Sequence, residues 1–323
     1  MNFSLIVPCY NEGECITAFF RSATLTLSTL RESCEIIFVN DGSVDSTFNK
    51  LKTLIADTTS ANVSYKVISF SRNFGKEAAI LAGLEQSSGE YIGIIDADMQ
   101  QDPQIAVKML HFLKSHPEFD SVAAVQEKRK EAALISGLKT AFYRIFNALT
   151  DVDLRSNASD FRVFTRQVAE ALMNMPEYHR FSKGLFSWIG FNTHYITYQA
   201  NKRLSGKSSW STKGLFRYAL SGITSFSIKP LRIAMTLGLI ISLCALTYFI
   251  ITVVSTIVGG NEIPGYPTLI CVLLLTSGIQ LFSMGIIGEY IGLSYVEGKH
   301  RPQYITKAVI SKQASGAPPD DVE

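Results

Sequence analysis

Tyr91-Ile92-Gly93-Ile94-Ile95-Asp96-Ala97-Asp98-Met99-Gln100 reads as an apolar strand, Tyr91–Ile95, that stops on two carboxylates one residue apart. The pattern repeats toward the N-terminus. Ser4–Val7 is an apolar run closed by Pro8 and followed by Tyr10-Asn11-Glu12. Glu35–Asn40 carries Ile36, Ile37, Phe38 and Val39 and runs into Asp41-Gly42-Ser43; Tyr65–Phe70 is a further strand. Helical patterns lie between them, from about Cys15 to Arg31, from an Asp45 or Ser46 cap to about Asp57, and over Gly75–Glu85. Short apolar strands alternating with helices predict an α/β domain with a parallel, doubly wound sheet. Such sheets bind ligands beyond the carboxyl ends of their strands. Three polar clusters fall there, which makes a site where one alone would be a turn.

The edge is acidic and not glycine-rich. The chain has no GxGxxG and no GxxxxGK[ST], so dinucleotide and P-loop chemistry are disfavoured. Asp96 and Asp98 suit a hard divalent cation, Mg2+ or Mn2+, that takes oxygen ligands and bridges phosphates. Net charge is +2 over 323 residues, too balanced to argue for nucleic acid. Five cysteines, at 9, 15, 34, 244 and 271, show no metal-ligand spacing and read as reduced thiols, which fits a cytoplasmic domain.

Charged residues make up only 18% of the chain, and the deficit is local. Ile233–Asn261 and Ile263–Gly288 contain 29 and 26 residues without a charge, separated by Glu262. Each exceeds the roughly 20 helical residues that cross a bilayer core. The connection, rich in Gly, Pro and Asn, predicts a hairpin with spans at about 233–257 and 267–290. Lys213, Arg217, Lys229 and Arg232 precede it, and Lys299, Arg301, Lys307 and Lys312 follow it. The loop has neither Lys nor Arg, so both termini are expected in the cytoplasm of a multi-pass cell-membrane protein. The N-terminal residues lack a basic region and cleavage site, so they read as a strand and not as a signal peptide. Lys213–Ile223 is basic and amphipathic, fit for an interfacial helix. Leu134–Leu149 is amphipathic too, and core packing is expected there. The resulting layout is a catalytic domain at 1–210, an interfacial segment at 211–231, a hairpin at 232–293 and a cytoplasmic tail at 294–323. The part of that tail after Ser311 is expected to be disordered.

Ordered motifs spanning nearly the whole chain carry a resemblance. They are Val7-Pro8-Cys9-Tyr10-Asn11-Glu12, Asn40–Thr47, Ser71-Arg72-Asn73-Phe74-Gly75-Lys76-Glu77, Asp96–Gln100, Ser159-Asp160-Phe161-Arg162 and His179–Gly184. Gly222–Ser227, Pro230-Leu231-Arg232 and Gly288-Glu289-Tyr290-Ile291-Gly292 complete the series. In this order the chain resembles glycosyltransferase family 2, more narrowly the polyprenyl-phosphate glycosyltransferases of bactoprenol glucosyltransferase type.

The resemblance implies a GT-A fold, a UDP-sugar donor carrying glucose or N-acetylglucosamine, and undecaprenyl phosphate as acceptor. It implies one inverting transfer, giving a polyprenyl-monophosphate sugar for cell-surface glycan modification. Pro8, Tyr10, Glu12 and Asp41 would hold nucleobase and ribose. Asp96, Ala97 and Asp98 would meet ribose and metal, with Gln100 near the metal; Asn73 and Lys76 would line the donor site. Asp160 matches the family's proposed catalytic aspartate, and Asp98 is expected to be catalytic with it through the metal. Arg129, Arg162, Arg203 and Lys207 are candidates for the acceptor phosphate, because guanidinium forks suit phosphate oxygens. Two positions depart from the family pattern: Asp102 stands where relatives carry a proline, and Gln126 or Glu127 where they carry an Arg whose role would pass to Arg129. Partners expected are membrane lipid, a flippase, an outer-face glycosyltransferase and a second copy of the chain through Gly285, Gly288 and Gly292. A processive synthase would need a glycan channel that two helices hardly enclose. A non-catalytic scaffold for a flippase would leave Asp96, Asp98 and Asp160 without purpose.

Overall fold

The computed structural model describes residues 1–127, 149–150, 158–199, 224, 227–259 and 265–316. The strands β1 (Phe3–Cys9), β2 (Cys34–Asn40), β3 (Val63–Phe70) and β4 (Tyr91–Ile94) are almost wholly buried, so the sheet needs cover on both faces. On one face α1 (Ile16–Ser28) presents Ile16, Phe19, Phe20, Ala23 and Leu27, spaced for a single stripe. These pack with α2 (Thr47–Asp57) and α4 (Pro103–Ser115) against Leu5, Val7, Ile36, Phe38 and Val67. On the other face lies α3 (Lys76–Glu85), whose Ala78–Leu84 run is buried on every side. It packs on β1 and β2, beside the pair α5 (Arg166–Met173) and α6 (Ser182–Trp188), which cover β4 and β6 on the same face.

With β5 (Ser121–Gln126), β6 (Ala158–Thr165), β7 (Thr193–Tyr198) and β8 (Thr306–Lys312), the strand order is β7-β5-β6-β4-β1-β2-β3-β8. Pairing is parallel across β3-β2-β1-β4 and between β5 and β7; it is antiparallel where β6 meets β4 and β5 and where β8 meets β3. The chain winds outward through β2 and β3, then returns to the far side of β1 to form β4. That reversal is the crevice where doubly wound sheets bind ligands.

The mostly parallel α/β sheet is therefore as the sequence predicts, with strand and helix ends moved by three residues at most. The C-terminal segment is different. Thr306–Lys312 forms the edge strand β8, and Ser315 and Gly316 donate backbone hydrogen bonds to Ser60 and Ala61. The region placed in a tail beyond the domain belongs to its sheet, and its order extends past Ser311.

The apolar runs form α7 (Lys229–Gly259) and α8 (Tyr266–Glu297), 31 and 32 residues long. Each spans roughly 46 Å at 1.5 Å per residue, more than a bilayer core. Their side chains face outward: Phe249 and Phe282 are 63% and 72% exposed. Of the two amphipathic segments, residues 134–148 and 213–223 lie outside the described residues.

Candidate active site

Because β1, β2 and β4 run parallel, their three polar clusters leave one edge together. Pro8 still lies in β1, and Tyr10, nearly half exposed, stands at its mouth. The first two loops are tied to each other. The Asn11 amide donates to Ser43 Oγ at 2.9 Å, Val44 N–H donates to Asn11 Oδ1 at 3.0 Å, and the amides of Glu12 and Gly13 donate to Thr47 Oγ1 and Asp45 Oδ2. Asn11 adopts a φ of 55°, which Asn tolerates better than most residues.

Asp41 is buried at the end of β2. Its Oδ1 and Oδ2 accept the amides of Phe74 and Gly75 at 2.6 and 2.9 Å. Burial pushes its carboxyl above the usual range, against these two bonds and Arg72. The residue expected to hold nucleobase or ribose thus anchors the loop that carries Asn73 and Lys76. Gly42 is needed beside it: φ is +62°, and a Cβ would lie 2.2 Å from the carbonyl carbon of Arg72.

The decisive contact crosses from β4 to β6. Ile94 lies opposite Arg162 in the antiparallel register. Carrying that register on by two residues sets Asp96 against Asp160. Lys76, projecting from the first turn of α3, lies between them: Nζ is 2.6 Å from Asp96 Oδ1 and 3.0 Å from Asp160 Oδ2. Burial alone would raise the Asp160 pKa. Lys76, Lys183 and Arg162 more than reverse this and hold it well below the usual carboxylate range. In turn, burial would lower the Lys76 pKa, and Asp96 and Asp160 keep it above its ordinary value.

Asp98 is 9% exposed, and its Oδ1 accepts the amide of Gln100 at 3.1 Å; Ala97 is buried, and Met99 takes a left-handed φ of 61° in the same turn. Gln101, which the motif reading passes over, is 5% exposed. It receives the Asp96 amide on Oε1 at 3.0 Å and donates through Nε2 to Ser159 Oγ at 3.3 Å. It locks the acidic turn to the strand that carries Asp160. The departure at Asp102 also has a reason: its Oδ1 accepts the Gln104 amide and caps α4 ahead of Pro103.

Glu77 is a second residue missed by role, although it ends a quoted motif. Both its oxygens accept the Ser182 amide at 3.1 Å, and the Ser182 hydroxyl bonds it too. Burial and the Asp160 charge push its carboxyl up to about 7 against the pull of Ser182 and Lys76. Arg162 shares the Asp160 face of β6 and is buried. Its guanidinium stacks 3.7 Å from the Phe186 ring centroid and donates to Ser159 O at 3.2 Å. Burial lowers its pKa to about 10, with Asp160 opposing. Arg162, expected to meet the acceptor phosphate, is therefore packed behind Asp160 against Phe186. Arg129, Arg203 and Lys207 lie outside the described residues.

Among the described residues no three His, Cys, Asp or Glu side chains gather into a metal cage. Asp96 is already engaged by Lys76, which leaves Asp98 as the leading carboxylate with Gln100 beside it. One carboxylate fits Mg2+ or Mn2+, which takes few protein ligands and completes its shell with water and substrate phosphates.

Known proteins resemble this chain over most of its length. The family model for Glycosyl transferase family 2 matches residues 4–173, and that for the GtrB C-terminal hairpin matches residues 229–293. The CsbB protein of Bacillus subtilis (strain 168) is 43% identical over 305 residues, covering 94% of this chain and 91% of its own. The bactoprenol glucosyl transferase of Shigella phage SfV is 36% identical over 309 residues, covering 95% and 98%. Among solved structures, mannosyl-3-phosphoglycerate synthase from Rubrobacter xylanophilus aligns with a TM-score of 0.47 and 16% identity, over 68% of this chain and 71% of that one. The hairpin match covers α7 and most of α8 and marks a membrane-associated protein. The chain belongs to glycosyl transferase family 2 and is a glycosyltransferase.

Proposed function

We propose that the protein transfers one sugar, glucose or N-acetylglucosamine, from a UDP-sugar to undecaprenyl phosphate with inversion. The observation that carries this reading is the meeting of Asp96 and Asp160 on Lys76, at the ligand edge of a domain that continues into an apolar hairpin. The bactoprenol glucosyl transferases among its relatives support a polyprenyl phosphate acceptor and glucose.

The chemistry follows from charge. A phosphate oxygen of the acceptor attacks the anomeric carbon, the bond from that carbon to the diphosphate breaks, and UDP leaves with the electron pair. A phosphomonoester with a second pKa of about 6 is largely ionised at neutral pH and needs little help from a base. Bringing it to a diphosphate costs on the order of several kcal/mol in a partly dry site. Cations must offset that. Lys76 supplies one, and Arg129, Arg203 and Lys207 are proposed to supply others. A divalent ion held by Asp98, with Gln100 beside it, would stabilise the leaving diphosphate when bound. Asp160, kept ionised by its cationic neighbours, has little affinity for a proton. Its role is to orient Lys76 and the acceptor. Pro8, Tyr10, Glu12, Asn73 and Ala97 border the donor side of the same edge.

The distribution of Lys and Arg supports a cytoplasmic site with both termini on that side. The product then forms on the inner leaflet, so a flippase and an outer-face transferase must follow. Gly285, Gly288 and Gly292 face open space on α8, which supports self-association.

The test is to incubate purified protein with undecaprenyl phosphate, Mg2+ or Mn2+ and a panel of UDP-sugars, and to weigh the lipid products. One added hexose or N-acetylhexosamine is the expected result. Repeated additions would indicate a processive enzyme, and UDP binding without any lipid product would turn the reading to a scaffold.

A further inference from the structure

Glu297 is the last residue of α8, where a carboxylate opposes the helix dipole. Another element holds that charge. Oε1 and Oε2 accept the Tyr178 amide at 2.9 and 3.0 Å, and Oε1 also accepts the His179 amide at 3.3 Å. The chain just beyond the helix reinforces the grip: Gln303 Nε2 donates to Glu177 O at 2.9 Å, and the Tyr304 hydroxyl bonds Glu85 at the end of α3.

The captured loop leads directly to the site. After His179 comes Arg180, whose guanidinium donates to Met175 O and Leu172 O at 2.9 Å each and fastens the loop to the end of α5. Ser182 follows, with its amide and hydroxyl on Glu77. Glu77 adjoins Lys76, which bridges Asp96 and Asp160. The end of the apolar helix is thus joined to the reacting edge through the amides of Tyr178 and His179 and the amide and hydroxyl of Ser182.

We propose that Glu297 is a positioning residue that sets the height of the catalytic edge relative to the membrane surface. The inference rests on the reading that the acceptor is a membrane-held lipid phosphate. Such an acceptor offers its phosphate at one level only, fixed by the bilayer. A soluble acceptor reaches the edge at any height. Loosening the helix end from loop 177–179 therefore costs the membrane-held acceptor selectively.

The experiment uses the full chain in phosphatidylglycerol/phosphatidylethanolamine vesicles with two acceptors: undecaprenyl phosphate in the bilayer and a short, water-soluble prenyl phosphate added to the buffer. Glu297→Ala is expected to lower kcat/KM for the bilayer acceptor about tenfold, with the short acceptor changed less than about twofold. UDP affinity by calorimetry is expected to stay within about twofold. Glu297→Gln keeps an acceptor oxygen for Tyr178 and is expected to recover part of the loss; it also carries the comparison if Glu297→Ala does not fold. Equal losses with both acceptors, or none with either, overturn the proposal. Wild-type protein that uses neither lipid phosphate overturns the acceptor reading itself and the proposal with it, an outcome visible before any variant is made.

Discussion

Carboxylates gathered at one strand edge repel each other, and a cation set between them relieves that repulsion. Lys76 is that cation for Asp96 and Asp160. Replacing it by Gln leaves Asp160 with Lys183 and Arg162 only, so its pKa moves back toward the value that burial favours. Lys76→Gln is expected to lower turnover by about 100-fold, the scale of removing one preorganised electrostatic partner. The sign of the pH effect follows. In the wild type Asp160 stays ionised well into acid, and in the variant it protonates at higher pH, so the acid limb of kcat/KM shifts upward. Steady-state rates across pH check both points, and a variant within twofold of wild type with an unmoved acid limb would deny Lys76 this role. The carboxylates are legible in the sequence because each ends an apolar run. The bridge is not. It depends on α3 starting where Asp41 holds the Phe74 and Gly75 amides and on the β4–β6 register, which join residues 33 to 84 positions apart. The surroundings of Arg162 are not legible either: its charge reads as a ligand contact, and its stacking on Phe186 depends on a helix that follows 20 or more residues later.

Elements with a full hydrophobic signal are placed correctly from sequence. The runs in β1, β2 and β3 are buried except at Pro8 and Lys66, and the α1 stripe repeats at helical spacing. β8 lacks such a signal. Thr306-Lys307-Ala308-Val309-Ile310-Ser311-Lys312 is short and half exposed, carries two lysines, and finds its partner far back in the chain, with Ile310 opposite Val67 and Val309 opposite Ile68. Lysines and partial exposure are how an edge strand guards against pairing with another chain. Removing it would bare the edge of β3, where Val63, Tyr65, Val67, Ile68 and Phe70 are buried. A chain ending at Ile305 is expected to lose about 5 °C or more in Tm and to aggregate at concentrations where the full chain does not. Thermal unfolding and light scattering in the same detergent measure both. An unchanged Tm would mean that β8 adds nothing to the sheet.

At the scale of the whole molecule, the proposed chemistry requires the catalytic edge and both ends of the membrane hairpin to share one side of the bilayer, and the cysteines make this testable. Cys9, Cys15 and Cys34 are buried; burial pushes the thiols of Cys9 and Cys34 up, the second to about 12, so little reactive thiolate forms. Cys244 and Cys271 lie within α7 and α8, where a spanning helix would screen them from an aqueous reagent. A single new cysteine is then a clean reporter. The connection between the helices has Glu262 and no Lys or Arg, while Lys229 and Arg232 stand at the start of α7 and Lys299 and Arg301 follow α8. Keeping those four cations in the cytoplasm sends the connection across. Glu262→Cys is expected to react with a membrane-impermeant maleimide in intact cells. Lys307→Cys, on the exposed side of β8, is expected to react only after permeabilisation. Labelling of both from one side would mean that α7 and α8 lie along the surface without crossing. The reverse pattern would put Asp96, Asp98 and Asp160 outside, away from any cytoplasmic nucleotide-sugar, and the transfer could not proceed as proposed.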